Sequence, residues 1–293
     1  LIIFSPISFI YPVMEEKASG RKDILFLFLL SVVALYLKKI SFYKQKYIII
    51  LFSGIIIFSH TGFFFLLPAF ILLFIFFNLK QKSILIFKEI LIISVSIVIF
   101  LLIILNNKII DTENIKQICE SLSIFVRDDC LNNGYISTLN WTIKQNLELK
   151  ESLWMTKNYN LYYALAFLIS FFPILFAFKN SKFANYKKIN VLFFFSIFII
   201  SSLPLYYIGV DYGRYMHLTY ISLIMIYFIS LKEKIIFTSY NQPLILKKIK
   251  FKFHSLLIII FLYGFSFTIP HCCENNFKFN YSKVLLKISE KLN

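Results

Sequence analysis

Three short glycine-containing motifs hold the side chains of this chain that are best suited to chemistry. They are residues 20–23 (GRKD), 60–62 (HTG) and 209–214 (GVDYGR), and they contain four of the seven glycines. Glycine permits a sharp turn or a close approach of the backbone to a ligand. Its position beside cations, carboxylates and a histidine therefore predicts a shaped pocket rather than scattered charges.

Arg21 and Lys22 are the two cations of the first motif, and they precede a short apolar segment. Such cations either bind an anionic group at the membrane surface or extend to water, as cations at the ends of membrane helices do. The sequence supports both roles.

Asp211 and Arg214 belong to the third motif and are three residues apart. They are candidates for a functional pair in the pocket. Alternatively, Asp211 caps the following helix through its side chain while it pairs with Arg214, because this spacing places both residues on one helix face.

Two histidines, His60 and His217, lie near the same predicted pocket. His60 is at a turn expected within membrane depth, where an ionisable side chain is costly and is by default a functional hypothesis. A hydrogen-bonded structural histidine is the alternative. His217 lies one turn into the next apolar segment and could face the same cavity.

All four cysteines fall in segments predicted to lie outside the cytoplasm, where disulfides form. They are Cys119, Cys130, Cys272 and Cys273. Four cysteines allow three pairings, of which Cys119 with Cys130 is the local one and bridges from the large loop to the C-terminal pair are the competitors. Adjacent cysteines do not match the usual spacing of zinc ligands, so we expect no metal site.

The composition predicts an integral membrane protein. Of the 293 residues 59% are hydrophobic, and the mean hydropathy is +0.75, whereas a soluble domain is roughly 45–50% apolar. No glycine-rich nucleotide-binding motif is present, so we expect no cofactor. The net charge of +16 comes largely from lysines between apolar segments, which argues for membrane orientation and against a nucleic-acid partner.

Eight apolar segments approach the roughly 20 residues that a spanning helix needs. They are residues 24–37, 47–59, 62–78, 83–105, 161–178, 189–208, 215–231 and 255–270. Lysine-rich loops follow the first, third, fifth and seventh segments, and the positive-inside tendency places these loops in the cytoplasm. The sequence thus predicts an all-α fold, a polytopic transmembrane helix bundle forming a single integral membrane domain over residues 1–293, with further helices before Leu1.

Residues 47–78 are predicted to form a short hairpin, because lysines flank the stretch on both sides. Two full passes take about 40 residues at a rise of 1.5 Å per residue, which is more than this stretch contains. The turn at His60 is therefore expected to lie below the outer surface.

The one large polar segment, residues 106–160, is predicted to be an extracytoplasmic loop. Apolar side chains recur in it at roughly helical spacing, at Ile136, Leu139, Ile143, Leu147 and Trp154. This pattern predicts either an amphipathic helix lying on the membrane or a small loop helix packed on the bundle.

Taken together, the short motifs resemble those of a known family of membrane enzymes. The residues that carry the resemblance are Ser5-Pro6, the 20–23 motif, His60-Thr61-Gly62-Phe63-Phe64 with Pro68, Asp211-Tyr212-Gly213-Arg214 and Pro270-His271-Cys272-Cys273. They are similar to those of the polytopic O-antigen and capsular repeat-unit polymerases of the Wzy type, and the resemblance covers nearly the whole chain.

The resemblance implies a glycosyltransferase in the bacterial cell inner membrane that polymerises lipid-linked oligosaccharide repeat units at the outer face. Its substrate is a polyprenyl-diphosphate-linked oligosaccharide, and membrane lipid and a chain-length regulator are the other candidate partners. The diphosphate leaving group needs cations, for which Arg21, Lys22 and Arg214 are the candidates. His217 is a further candidate for substrate binding.

The attacking sugar hydroxyl benefits from a positioned base. Asp211 and His60 are the two candidates for this catalytic role.

Two other functions fit the same features. A transporter that flips lipid-linked oligosaccharide also places a few charged side chains along a membrane pathway. A non-enzymatic assembly partner is the third class, although the outer loop lacks the long heptad pattern of a coiled coil.

Overall fold

The computed structural model describes residues 1–9, 23–107, 112–122, 143–157, 159–184, 190–209, 211–238, 253–268 and 278–279. Of these described residues 84% are helical, as the apolar segments predict.

The α-helices of the described residues are, in chain order, α1 (Pro6–Phe9), α2 (Asp23–Tyr36), α3 (Phe42–Ser59), α4 (Pro68–Phe77), α5 (Ser83–Asn107), α6 (Thr112–Leu122), α7 (Ile143–Lys157), α8 (Tyr159–Lys179), α9 (Val191–Ile208), α10 (Tyr212–Lys232) and α11 (Phe253–Gly264). Two 3₁₀ segments are formed by Leu37–Lys39 and Thr61–Leu66. Two short antiparallel strand pairs add to the helices: β1 (Ser181–Phe183) with β2 (Ile236–Thr238), and β3 (Phe267–Thr268) with β4 (Lys278–Phe279).

Five of the described helices are long and apolar enough to cross a membrane: α3, α5, α8, α9 and α10. They fit a membrane-embedded protein of the all-α class. The segments predicted at 24–37, 62–78 and 255–270 also form helices, but α2, α4 and α11 have 14, 10 and 12 residues. Because a spanning helix needs roughly 20 residues, the count of eight spans is not confirmed.

Helix α10 lies at the centre of the bundle. It packs against α1, α2, α4, α8 and α9, and it is the most buried of the five long helices. Ser222 and Ser230 are buried in it and donate to the carbonyls of Leu218 and Ile226 in the preceding turn, so that their hydroxyls need no water. Helix α5 is the least buried of the five and exposes aliphatic side chains, as a lipid-facing helix does.

Helix α3, the 3₁₀ segment Thr61–Leu66 and α4 form a hairpin with its turn at His60. The Asn78 side chain donates to that of Gln45 at 2.5 Å and so joins the end of α4 to the first turns of α3. Pro68 begins α4, at a position where its missing N–H costs nothing. A hairpin is therefore present where the sequence predicts one.

The arms of this hairpin are longer than the residue count implies. Helix α3 begins at Phe42, five residues before the predicted segment, and its 18 residues span about 27 Å. The returning arm includes six residues in 3₁₀ conformation, which rises about 2.0 Å per residue rather than 1.5 Å. Each arm thus approaches the roughly 30 Å of a hydrocarbon core, and the depth of the turn stays a prediction.

Polar contacts at the ends of the helices follow the predicted alternation of sides. Lys38 and Glu233, at the ends of α2 and α10, form an ion pair. Asp23 and Arg214, at the starts of the same two helices, form another. The two helices therefore run parallel, with their lysine-rich ends on one side and with Asp23 and Arg214 meeting on the other.

Another ion pair, between Lys46 of α3 and Glu89 of α5, lies on the same lysine-rich side as the pair of Lys38 and Glu233. The distance from Nζ to Oε2 is 2.8 Å, and the side chains are 14% and 6% exposed. Because a charge buried without its partner is costly, this pair fixes how α5 packs on the hairpin.

The predicted outer loop contains α6 and α7 among its described residues. Helix α7 packs against α8 and α9, so the structure favours a loop helix packed on the bundle over a helix lying on the membrane. Cys119 of α6 is disulfide-bonded. Cys130, Cys272 and Cys273 lie outside the described residues, so the pairing stays a prediction.

Candidate functional site

An ion cluster of three side chains lies where the starts of α2 and α10 meet. The Arg214 guanidinium faces Asp23 with one edge: Nε is 2.8 Å from both carboxylate oxygens, and Nη2 is 2.7 Å from Oδ1. Its Nη1 donates to Oδ2 of Asp211 at 3.1 Å. The three side chains are only 11%, 17% and 23% exposed, in the order Arg214, Asp23, Asp211. One guanidinium thus orients two carboxylates at a largely buried position.

The local sequence explains how α10 contributes two members of this cluster. Asp211 is the residue before the helix, and Arg214 is in its first turn. The predicted pairing at this spacing is present, whereas the Asp211 side chain makes no capping hydrogen bond to the helix start. Asp211 therefore serves the ion cluster rather than the helix N-terminus.

Two rings of the hairpin continue the site beneath Arg214. The guanidinium carbon lies 5.7 Å from the centre of the buried Phe63 ring, within reach of a cation–π attraction. The His60 ring stacks on the same Phe63, with centroids 4.7 Å apart and planes 18° apart. His60, Phe63 and Arg214 thus form one wall, which brings the second motif to the third.

His60 is held by its own turn. Its Nδ1 accepts a hydrogen bond from the backbone N–H of Gly62 at 3.0 Å. A neutral imidazole that accepts at one nitrogen carries its proton on the other, so in this arrangement Nε2 is the protonated nitrogen and a donor. This geometry suits hydrogen-bond donation better than proton abstraction.

His217 is directed toward the N-terminal segment. Its Nδ1 is 2.7 Å from the carbonyl oxygen of Ile7 in α1, and because a carbonyl only accepts, Nδ1 is the donor. Tyr220, one turn further along α10, donates to the carbonyl of Ile2 at 2.9 Å. These bonds attach α1 and the residues before it to the central helix, which is a structural role for His217 beside the predicted substrate-binding one.

The corner between α9 and α10 carries Asp211 and is built from tyrosines. The ring centroid of Tyr206 lies 5.8 Å from that of Tyr212 and 5.9 Å from that of Tyr215. Gly209 closes the corner, and a Cβ there would lie 2.3 Å from the Tyr215 hydroxyl oxygen. The glycine is required by this close approach, since its φ of −106° suits any residue.

Lys150 of α7 supports the same corner from the outer loop. Its Nζ donates to the carbonyl of Tyr207 at 2.6 Å and lies 4.5 Å from the centre of the Tyr207 ring. The residue is only 3% exposed, and burial lowers the pKa of its ammonium group. A cation at the last carbonyls of a helix is stabilised by the helix dipole, so Lys150 anchors the end of α9 that leads to Asp211.

The predicted site residues are thus only partly brought together. Asp211 and Arg214 are in contact, and His60 joins them through Phe63, while His217 faces α1. Arg21 and Lys22 lie outside the described residues.

Sequence reasoning missed Asp23, Phe63 and Lys150 as members of the site. Asp23 had a signal, because it is an acidic residue at the start of an apolar helix and follows two candidate cations. Lys150 had none, since a lysine in a polar loop is ordinarily solvated.

No group of three or more His, Cys, Asp or Glu side chains within the described part of the chain could hold a metal ion. Comparison of the chain with protein-family models, with curated proteins and with solved structures gives no match.

Proposed function

We propose that this chain is a membrane glycosyltransferase that polymerises lipid-diphosphate-linked oligosaccharide repeat units at the outer face of a bacterial inner membrane. The observation that supports it most directly is the Arg214 cluster: a carboxylate oriented by an arginine at a largely buried position, on the predicted outer side of a membrane-embedded bundle. Charged groups taken out of water are costly, and in a membrane protein such groups are by default a functional hypothesis.

In this proposal Asp211 is the general base. It takes the proton from a sugar hydroxyl of the acceptor repeat unit while that oxygen attacks the anomeric carbon of the donor. The bond from the anomeric carbon to the diphosphate oxygen breaks, and the polyprenyl diphosphate leaves with the electron pair. Arg21, Lys22 and Arg214 supply positive charge for the leaving group.

The hydrogen bonding of His60 favours Asp211 as the base. With Nδ1 accepting from Gly62 and the proton on Nε2, neither ring nitrogen is available to take a proton from a sugar hydroxyl. In this proposal His60 contributes to the shape of the site, and Asp211 abstracts the proton.

The test is the glycan profile of cells that lack their own copy of the gene and express variants of the chain. We expect Asp211→Asn to stop polymer growth and to leave single repeat units on the acceptor, because a general base contributes roughly 10²–10⁴ in rate. Arg214→Ala should have the same result, because it removes positive charge from the leaving group. Lys144→Ala, at a side chain that is 87% exposed, is the control and should give normal chains.

Three outcomes separate the candidate functions. Single exposed repeat units support the polymerase. Repeat units that accumulate on the cytoplasmic side indicate a flippase instead. Normal long chains from well-expressed Asp211→Asn and Arg214→Ala proteins would show that the cluster takes no part in polymerisation.

A further inference from the structure

The edge of Arg214 that best fits a phosphate is occupied by a carboxylate of the protein itself. Nε and Nη2 form the side of a guanidinium that binds planar or tetrahedral oxyanions through two parallel hydrogen bonds. In this structure both nitrogens face Asp23, at 2.7–2.8 Å. Asp23 therefore takes the position that a phosphate would take.

The charge of the cluster makes this position exchangeable. One guanidinium is divided between two carboxylates in this cluster, and all three side chains are largely buried. The attraction that the guanidinium exerts on Asp23 is opposed by the like charge of Asp211 beside it. Asp23 is thus held less firmly than it would be if it were the one carboxylate at this arginine.

Asp23 is the carboxylate that can leave. Asp211 is three residues from Arg214 and belongs to the same helix start, so the two move together. Asp23 comes from another helix, 191 residues away in the chain, and is the first residue of α2. An aspartate in the first turn of a helix is stabilised by the helix dipole when it turns away from its partner.

Phe63 keeps the arginine in place during such an exchange. The ring lies against the guanidinium and is itself fully buried between hairpin and bundle, in contact with Phe26 of α2. The guanidinium can then change its anionic partner without changing its own position.

We propose that Asp23 is a placeholder that occupies the phosphate-binding edge of Arg214 and is displaced by the diphosphate of the incoming lipid-linked substrate. The identity of that substrate rests on the proposed function, whereas the exchange of carboxylate for phosphate at Arg214 does not.

The exchange is tested with inorganic pyrophosphate and the purified chain in lipid nanodiscs, by calorimetric titration at fixed ionic strength. We expect Asp23→Asn to bind pyrophosphate about tenfold more tightly than the wild type, the scale of one charged hydrogen bond that no longer competes. Arg214→Gln should lose the binding.

Asp211→Asn is the matched control, because it removes the same charge from the same guanidinium. A general electrostatic effect would raise the affinity equally in both variants, whereas a placeholder predicts a rise of less than about threefold for Asp211→Asn. Equal rises, or unchanged or weaker binding in Asp23→Asn, would overturn the proposal. Asp23→Ser, checked for monodisperse elution, repeats the measurement with a smaller side chain.

This measurement does not depend on polymerisation. If Asp211→Asn and Arg214→Ala leave the glycan profile unchanged while Asp23→Asn binds pyrophosphate more tightly, the exchange is supported and only the proposed function is rejected.

Discussion

At the scale of single residues, the site depends on close approaches as much as on charges. The guanidinium of Arg214 is fixed by two carboxylates and one aromatic ring, and Asp211 is carried by a corner in which Gly209 leaves no room for a side chain. Substitution of a charged residue in the cluster and addition of a methyl group at Gly209 should therefore both impair the site. The first changes its electrostatics, and the second displaces the corner that carries Asp211.

Gly209→Ala should destabilise the corner by about 1–3 kcal/mol, the usual cost of overpacking a fixed site. The added Cβ would lie 2.3 Å from the Tyr215 hydroxyl oxygen and 2.9 Å from ring carbons of the same residue. The thermal stability of the detergent-solubilised protein measures this change. In a Tyr215→Phe background the loss should be smaller, because the closest atom is gone.

Gly54→Ala is the control for this experiment. Its added Cβ would meet the Phe100 ring at 3.2 Å, and that ring is only partly buried and can shift. A loss of stability for Gly54→Ala as large as that for Gly209→Ala would contradict the role of the close approach.

At the scale of elements, the corner between α9 and α10 is held from outside the long helices. Helix α7 belongs to the polar loop. Among its residues with described side chains, Lys150 is the buried one, and it donates to the carbonyl of Tyr207 at the end of α9. The loop therefore contributes to the geometry of the site although it supplies none of the predicted catalytic groups.

Lys150→Met should loosen the docking of α7 on α9, because the side chain keeps its length but loses the donor for the Tyr207 carbonyl. A hydrogen bond from a charged group contributes about 1.5–3 kcal/mol, so we expect hydrogen exchange in α7 to accelerate by roughly 10- to 100-fold. Polymer length on the glycan gel should fall in parallel.

Lys144→Met provides the comparison within the same helix. The Lys144 side chain is 87% exposed and lies 3.9 Å from Glu148, and exposed pairs contribute little. If hydrogen exchange in α7 accelerates equally in both variants, the measurement reports the general stability of the helix and not its contact with α9.

At the scale of the whole molecule, the distribution of charge defines two sides. Lys38 and Glu233 pair where α2 and α10 end, and Gln45 of the hairpin donates to the carbonyl of Leu37 on the same side. Asp23, Asp211 and Arg214 meet where the same two helices begin. The proposed function requires that the side with the Arg214 cluster face outward, which the positive-inside tendency predicts.

Labelling with a membrane-impermeant maleimide in right-side-out vesicles tests this orientation. We expect Glu148→Cys to react and Lys44→Cys to react only after the membrane is permeabilised; both positions are exposed in the structure. The parent chain, with its native cysteines, gives the background. The reverse pattern would place the Arg214 cluster on the cytoplasmic side and would exclude polymerisation at the outer face.

The sequence by itself determined the class of the protein and indicated the candidate site residues. Apolar segments, lysine-rich loops and the spacing of Asp211 and Arg214 are local properties, because partition into a membrane and contacts within one helix turn depend on residues close together in the chain. The hairpin at His60 could be predicted for the same reason.

Only the tertiary structure decided which helices are neighbours, and with them the partners in the site. Asp23 meets Arg214 across 191 residues of sequence, and Lys150 meets Tyr207 across 57. Helices in a membrane associate through close packing and occasional polar contacts, since lipid is as apolar as their side chains. Hydropathy therefore identifies the helices but contains little information on how they pair, which is why the contact between Asp23 and Arg214 emerged from the structure alone.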